Sequence, residues 1–193
     1  MDIIMPDWNA AEALLIEEGV RAIESYAAKH AAELCSFFAF SVDYCFGDVV
    51  ICFDTFDNSL LHAKRNEAAT LKARDAVLYC ETGWENAEYY IQRERLYSYN
   101  PHTADFKYPD FAKLHLSDWE GYFLNDQRPE RPDPLGRVIV LMHKVISKLV
   151  AARCFDRLVM ASPFRAGVEF PRDDLGLVVM KLLNWPSHQG PRV

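Results

Sequence analysis

The sequence has few glycines and lacks the glycine motifs that bind phosphates. Its eight glycines among 193 residues form neither GxGxxG nor GxxxxGKS/T, the loops that hold dinucleotides and nucleoside triphosphates. The serine-nucleophile motif GxSxG is also missing, and no HExxH or paired His/Cys spacing indicates a metal site. These absences disfavour the common nucleotide-binding, serine-hydrolase and zinc-enzyme classes. We therefore predict no cofactor and no metal.

Cysteine pairs and long apolar runs are missing as well. Five cysteines are an odd number and contain no CxxC, which favours reduced, mostly buried thiols, with a Cys45–Cys52 bridge as the minor alternative. The apolar run Val138–Met142 is much shorter than the ~20 residues of a membrane span. The N-terminus carries acids where a secretory signal would carry Lys or Arg. We expect a cytoplasmic protein without a membrane partner.

Basic residues are scarce in the first two thirds of the chain. Residues 1–133 hold 24 acids and 12 bases, a net charge of −12, whereas residues 134–193 hold 4 acids and 9 bases, a net charge of +5; together they give −7. Because the acidic part repels phosphate, we predict no nucleic-acid partner. It would attract a cationic protein instead, although mild acidity is also common in cytoplasmic proteins without such a partner.

Half of the residues are hydrophobic, which is enough for a sizeable core, and the length suits a single domain over residues 1–193. The predicted order is helix, hairpin, helix, irregular segment, helix and strands. That order indicates an α+β fold, in which a mainly antiparallel sheet packs against three or more helices.

Capping residues and periodicity define the first elements. Asp7 is the predicted N-cap of a long first helix. Its apolar stripe, with spacings of three and four, consists of Ile16, Val20, Ile23, Ala27, Ala31 and Leu34. Gly47-Asp48 then lies between two apolar, β-branched and aromatic runs, Ser36–Tyr44 and Val49–Phe53, which predicts a hairpin.

The later elements follow from the same signals. Asp57-Asn58-Ser59 offers caps for a second helix over Leu60–Cys80. Leu135–Arg153 has apolar residues on two adjoining faces, which predicts the most buried helix. The remaining predictions are strands at Phe155–Ala161 and Leu177–Leu183 with a loop at Ser162–Asp174.

Aromatic and acidic residues are concentrated in one stretch. Eleven of the 25 aromatic residues lie within Trp84–Phe123, together with seven acids and four bases. Rings beside carboxylates are typical of protein-binding surfaces, although half or more of these rings should pack inward. We predict an irregular segment over residues 84–134, with turns at Asn100-Pro101 and Tyr108-Pro109 and an undecided helix or strand at Glu88–Leu96. The predicted partner-binding residues are Tyr99, Asp105, Phe106, Tyr108, Asp110, Asp118, Trp119 and Glu120.

The same stretch contains a candidate acid–base pair. On a short helix His115 would share a face with Asp118, whose carboxylate would orient the imidazole, and Glu120 lies nearby. The competing interpretation is that Ser117 caps this helix and Asp118 interacts with its N-terminal dipole. His102 is the alternative base for a small hydrolase. We assign no catalytic residue from these patterns alone.

Residues 99–108, YNPHTADFKY, resemble a segment of a bacterial protein family of unknown function. That family carries aromatic-Asn-Pro-x-Asp/Glu-Trp-x-Tyr after its second helix. The order of a long first helix, the aromatic strand Phe37–Phe40, a helix, this segment and a buried helix is also similar. Phe106 stands where the family has Trp, and two extra residues precede Asp105. Such proteins are often associated with polymorphic-toxin systems, so the resemblance implies an immunity protein that neutralises a cognate toxin, and it implies no catalytic residues.

Three functions remain open at this point. The first is a protein-binding domain, in the immunity-protein form, that occludes a cationic toxin with the aromatic and acidic surface. The second is a small hydrolase that uses His115 or His102 with nearby carboxylates. The third is a structural or regulatory module that self-associates through the same rings as a homodimer.

Overall fold

The computed structural model describes residues 5–62, 64–65, 102–123, 134–171 and 177–184. Their helices are α1 (Trp8–Lys29), α2 (56–62, continuing at 64–65), α3 (Ser117–Phe123) and α4 (Pro134–Ala151). Their strands are β1 (Cys35–Asp43), β2 (Asp48–Thr55), β3 (Tyr108–His115), β4 (Met160–Glu169) and β5 (Leu177–Leu183). The predicted α+β class is therefore confirmed. The predicted element at Glu88–Leu96 and the rings from Trp84 to Tyr99 lie outside the described residues.

The five strands form one mixed sheet in the order β3-β2-β1-β4-β5. Three neighbouring pairs are antiparallel, while β1 and β4 in the centre run parallel. The sheet is thus mainly antiparallel, as predicted, with one parallel pair that the sequence did not indicate. Of the described strands, β3 and β5 are the two at the ends of the sheet.

The predicted hairpin is β1 and β2, which pair with Asp43 opposite Asp48. Gly47 in the turn has a φ of +71°, which favours glycine, and an added Cβ would lie 2.2 Å from the carbonyl oxygen of Leu116. The amide of Leu116 donates to the Gly47 carbonyl at 2.8 Å. This close contact fixes the end of β3 and the start of α3 against the hairpin turn.

Helix α1 begins as predicted, because the Asp7 carboxylate accepts from the amides of Asn9 and Ala10, both at 3.0 Å. It ends at Lys29, earlier than the predicted stripe. Its buried residues lie on a face offset from that stripe, with only Ile23 in both sets: Ala11, Leu15, Gly19, Ala22, Ile23 and Tyr26. Gly19 permits close packing, since an added Cβ would lie 3.1 Å from Leu149 of α4 and 3.4 Å from Phe40 of β1.

Helix α4 confirms the predicted third helix. Its buried residues join α1 and one face of the sheet in a single apolar cluster, and Val138, Met142, Val145 and Ile146 are fully buried in it. We call this side of the sheet, which bears Phe38, Phe40 and Val42 of β1, the helix-covered face. The opposite side bears Phe37, Ala39 and Cys52, and we call it the polar-anchored face because buried carboxylates lie beside it.

Three local predictions are wrong. The predicted strand Phe155–Ala161 begins inside a 3₁₀ turn, Cys154–Arg157, and only its last two residues belong to β4. The predicted loop at Ser162–Asp174 contains most of β4. The pairing of β4 with β1 is irregular between Cys35 and Phe37, where the strand accommodates Pro163. Tyr108-Pro109 begins β3, and a proline is tolerated there because β3 is the end strand of the described sheet.

The second helix also begins earlier than predicted. Residues 56–62 are already helical, so Asp57, Asn58 and Ser59 lie inside α2 instead of capping it. The Thr55 hydroxyl accepts from the Asn58 amide at 3.3 Å, and the Asp54 carboxylate accepts from the side chains of Asn58 and Ser59 at 2.8 and 2.5 Å. The N-terminal contacts of α2 therefore come from the last two residues of β2.

Candidate functional site

Four of the predicted partner-binding residues are exposed carboxylates arranged along β3 and its two flanks. Asp105 lies in the 3₁₀ turn before β3, Asp110 lies on β3, and Asp118 and Glu120 lie on α3 directly after it. We call these four residues the acidic edge. Asp110 pairs with Lys113 at 3.2 Å, whereas no cation among the described residues pairs with the other three side chains. The acidic edge therefore retains most of its charge for a partner.

Two of the predicted contact rings are core residues. Phe106 is 4% exposed and packs on Phe37 with ring centroids 5.3 Å apart. Trp119 is 1% exposed and packs against Trp8 with centroids 5.8 Å apart. The prediction that these two rings contact a partner is therefore wrong. Helix α3 turns Trp119 to the core on the helix-covered face, whereas Phe106, before β3, packs into the small cluster on the polar-anchored face. Tyr99 lies outside the described residues.

Tyr108 is half-buried and belongs to a hydrogen-bonded network between β3 and the end of α1. Its hydroxyl donates to the Glu33 carboxylate at 2.9 Å and lies 3.0 Å from Nδ1 of His30, while Lys107 Nζ donates to Glu33 at 3.0 Å. Burial acts to raise the pKa of Glu33, but the hydrogen bonds from Lys107 and Tyr108 outweigh it and lower that pKa. Burial and the neighbouring Glu33 raise the pKa of the Tyr108 phenol. Tyr108 thus holds β3 in place, with only part of its ring available to a partner.

His115 does not form the predicted pair with Asp118. It is the last residue of β3, two residues before the helix begins, and its Nδ1 lies 2.8 Å from the carboxylate of Asp48 across the β2–β3 pairing. Both side chains are more than half exposed, 51% for His115 and 63% for Asp48. Helix α3 begins at Ser117 itself, which removes the basis for a shared helical face. His115 and Asp118 both line a cavity of about 170 Å³ between the starts of α1 and α3, which is smaller than the ~300–1,000 Å³ of typical ligand pockets.

His102, by contrast, lies beside a buried carboxylate. Nδ1 of His102 is 3.1 Å from Oε1 of Glu169, at the end of β4. The other carboxylate oxygen accepts from the backbone amide of Thr103 at 2.9 Å and also from the Thr103 hydroxyl. Glu169 is 6% exposed, whereas the His102 side chain is 59% exposed. The carboxylate therefore orients the imidazole and leaves its outer edge accessible.

This pair lines a cavity of about 430 Å³ on the polar-anchored face. The other described walls come from β1, β2, the start of β3 and the end of β4, and include Ser41, Val50, Pro109, Asp110 and Pro171. A histidine oriented by a carboxylate at a concave site has the arrangement of a general base. Cys52 lies behind the wall, and burial raises the pKa of its thiol to about 12, so it stays protonated and is a poor nucleophile.

The buried carboxylates Asp54 and Glu169 were not singled out from the sequence. Asp54 is fully buried, and its Oδ1 accepts from the amides of Thr55 and Lys107 at 3.0 and 3.1 Å. Each acid ends an apolar strand run, Val49–Phe53 before Asp54 and Ala166–Val168 before Glu169. An acid at such a position is costly to bury without hydrogen bonds. An acid directly after an apolar strand run was therefore the sequence signal that could have indicated these two residues. Both acids hold the segment 102–107 against the sheet.

The described residues contain no cluster of three or more His, Cys, Asp or Glu side chains that would hold a metal ion. Within the same ranges, no helix has both the length and the apolar character needed to cross a membrane. The buried cysteines Cys35, Cys52 and Cys154 have free thiols.

Comparison with known proteins found no matching family model, and no curated protein or solved structure with significant similarity to the chain. The functional interpretation therefore depends on the geometry of the acidic edge and of the His102 cavity.

Proposed function

We propose that the protein is a cytoplasmic, single-domain protein-binding module whose partner is cationic, in the immunity-protein form that neutralises a cognate toxin by occlusion. The observation that carries the proposal is the acidic edge: Asp105, Asp110, Asp118 and Glu120 are all exposed on and beside β3, at one end of the described sheet. The two lysines of this region, Lys107 and Lys113, are already paired with carboxylates. A cationic surface would meet little opposing charge there.

The proposed mechanism needs no chemistry. Long-range attraction would raise the rate of association, and contact with the edge would cover the active site of the toxin. A strand at the end of a sheet also offers its outward backbone groups to an added strand, which would fix the orientation of the partner. Tyr108 is held rigid by Glu33, so that the edge is preorganised before binding.

The first experiment identifies the partner. The tagged protein is used for capture from its own cells, and the product of the neighbouring gene is tested for toxicity with and without the protein. We expect a basic protein in the captured fraction and protection from its toxicity. Capture of no partner, together with toxicity that the protein does not relieve, would contradict the proposal.

The second experiment locates the surface by matched charge changes. The edge variant Asp105→Asn/Asp118→Asn/Glu120→Gln is compared with the control Glu17→Gln/Glu24→Gln/Asp156→Asn, which removes three exposed carboxylates elsewhere. We expect the association rate at low salt to fall about tenfold for the edge variant and much less for the control. Equal rates for the two variants would exclude the acidic edge. If the edge variant instead dissociates a homodimer, the module is self-associating.

The His102 cavity favours a second candidate, a small hydrolase in which Glu169 orients His102 as a general base. Its test is hydrolysis of a panel of p-nitrophenyl esters by the purified protein. We expect activity that is lost in His102→Gln and retained in His115→Gln, the matched change at the exposed histidine. Absence of activity, or equal loss in both variants, would remove this candidate.

A further inference from the structure

A groove between the N-terminal parts of α1 and α4 combines an apolar floor with a cationic rim. Trp8 of α1 and Leu141 of α4 form its inner surface, and Val140 beside them is 55% exposed. Arg137 and Lys144, both exposed, stand on the same side of α4. The spacing 137, 140, 141 and 144 is i, i+3, i+4 and i+7, which places these four side chains on one helix face. We call this feature the α1/α4 groove.

Among the described residues, the charges around the groove leave it positive. Its one described acidic wall residue, Glu12, is paired with Lys148 at 2.5 Å and is mostly buried, with 16% of its side chain exposed. Arg137 and Lys144 pair with no carboxylate among the described residues, unlike Lys148 one turn further along α4. An unpaired cation keeps its attraction for an anion that arrives from solution. The groove shares no residue with the acidic edge or with the His102 cavity.

The size of the groove fits a small molecule. Its volume is about 530 Å³, within the ~300–1,000 Å³ range of ligand pockets. Apolar walls with a few placed charges are the usual composition of such pockets. Exposed Val140 and the half-buried Trp8 would gain from contact with an apolar body, while Arg137 and Lys144 would hold an anionic head.

We infer that the α1/α4 groove binds an anionic amphiphile, a small molecule with a carboxylate head and an aliphatic body. Trp8, Val140 and Leu141 contact the aliphatic part, and Arg137 and Lys144 bind the carboxylate. This site is independent of the proposed protein partner, which is cationic and lies on the acidic edge. Each proposal can therefore fail without the other.

The test uses decanoate, below its micelle concentration, in calorimetric titrations of the full chain at low and high salt. We expect saturable binding at one site, and binding weakened by salt because the head group is held by exposed cations. Decanol, which has the same body without the charge, should bind about tenfold more weakly. Equal binding of decanoate and decanol would overturn the inference.

Variants locate the site. Arg137→Gln/Lys144→Gln should weaken decanoate about tenfold, and Lys113→Gln, an exposed cation on β3, should leave it unchanged. Val140→Asp places a carboxylate in the groove and should abolish binding; its far-ultraviolet circular dichroism confirms that the fold is kept. Decanoate binding that survives both groove variants would overturn the inference. Conversion of a dimer to a monomer by Val140→Asp would also overturn it, because the groove would then be an interface between two copies.

Discussion

The two faces of the sheet are built differently, although they share the same strands. On the helix-covered face Phe38 packs against Phe40, Phe53 and Phe155 with ring centroids 5.0 to 5.3 Å apart. On the polar-anchored face Phe37 belongs to a small cluster, and the neighbouring segment 102–107 is held by hydrogen bonds to Asp54 and Glu169. The helix-covered face therefore contributes apolar burial, whereas the polar-anchored face fixes the position of the segment 102–107. Both candidate functional sites adjoin the segment that the second face holds.

The largest expected effect on stability comes from comparing two neighbouring residues of β1, Phe37 and Phe38, which face opposite sides of the sheet. Phe38→Ala should lower the free energy of unfolding by about 3–5 kcal/mol, because the cavity left in the extended cluster cannot collapse. Phe37→Ala, with the same chemistry at an equally buried position, should cost less, since the smaller cluster can relax. Urea denaturation of both variants gives the two values. A larger loss for Phe37→Ala would reverse the assignment of stability to the helix-covered face.

Removal of the Asp54 carboxylate is the next largest change. Asp54→Ala removes the acceptor of the Thr55 and Lys107 backbone amides. It also removes one of two hydrogen-bond partners of the Asn58 and Ser59 side chains, which keep their contacts with Asp105 and Ser36. We expect a loss of about 3 kcal/mol in unfolding free energy, because unsatisfied buried donors are costly. The control is Asp57→Ala at an exposed position three residues further on, which should change stability little. Similar losses in both variants would show that Asp54 does not anchor the segment.

The Glu33 network gives a smaller effect that depends on pH. The pKa of the Glu33 carboxyl in the folded protein lies below the unfolded value of about 4.3, so the unfolded state binds more protons in acid. The stabilisation is complete above that pH and is lost as pH falls through the folded pKa. At neutral pH Glu33→Gln should cost about 1 kcal/mol, and the difference from the unchanged protein should shrink as the pH falls through the lowered pKa of Glu33. A difference that does not shrink as the pH is lowered below about 4.3 would contradict this account.

The smallest expected effect concerns the rate at which the buried cysteine thiols are alkylated. Burial raises the pKa of both Cys35 and Cys52 to about 12, so iodoacetamide at pH 8 should label neither thiol in the folded protein. Thr103→Val removes a hydrogen bond to Glu169 and should speed labelling of Cys52 on the polar-anchored face, with Cys35 unchanged. Mass spectrometry of the digested protein measures both sites. Parallel acceleration at the two cysteines would mean that the faces open together.

Much of the fold could be predicted because its signals are local. The hairpin β1–β2, helix α4 and strand β5 follow from periodicity and turn residues within each segment. Strands β3 and β4 were missed where prolines indicated turns or loops, since the sequence does not show that a strand lies at the end of a sheet or contains an irregularity. The parallel pairing of β1 with β4 has no local signal.

The candidate sites were predicted less completely. The four carboxylates of the acidic edge are exposed as expected, because charged residues rarely lie in a core. Phe106 and Trp119 were assigned to the surface because the sequence does not show whether an aromatic side chain is buried or exposed until the buried face of its element is known. Glu169 was missed because its partner Thr103 is 66 residues away, and such a pairing exists only in the folded chain.

The central place of β1 has a consequence for how the chain is made. Cys35 pairs with Met160 and Ser41 with Glu169, so one side of β1 forms its backbone hydrogen bonds with a strand that comes much later in the sequence. Since synthesis proceeds from the N-terminus, the aromatic strand Cys35–Asp43 leaves the ribosome long before its parallel neighbour. During that interval its unpaired side is a template for aggregation. Chains truncated before β4 should therefore be bound by chaperones or degraded, and only chains that contain β4 should accumulate in the cell.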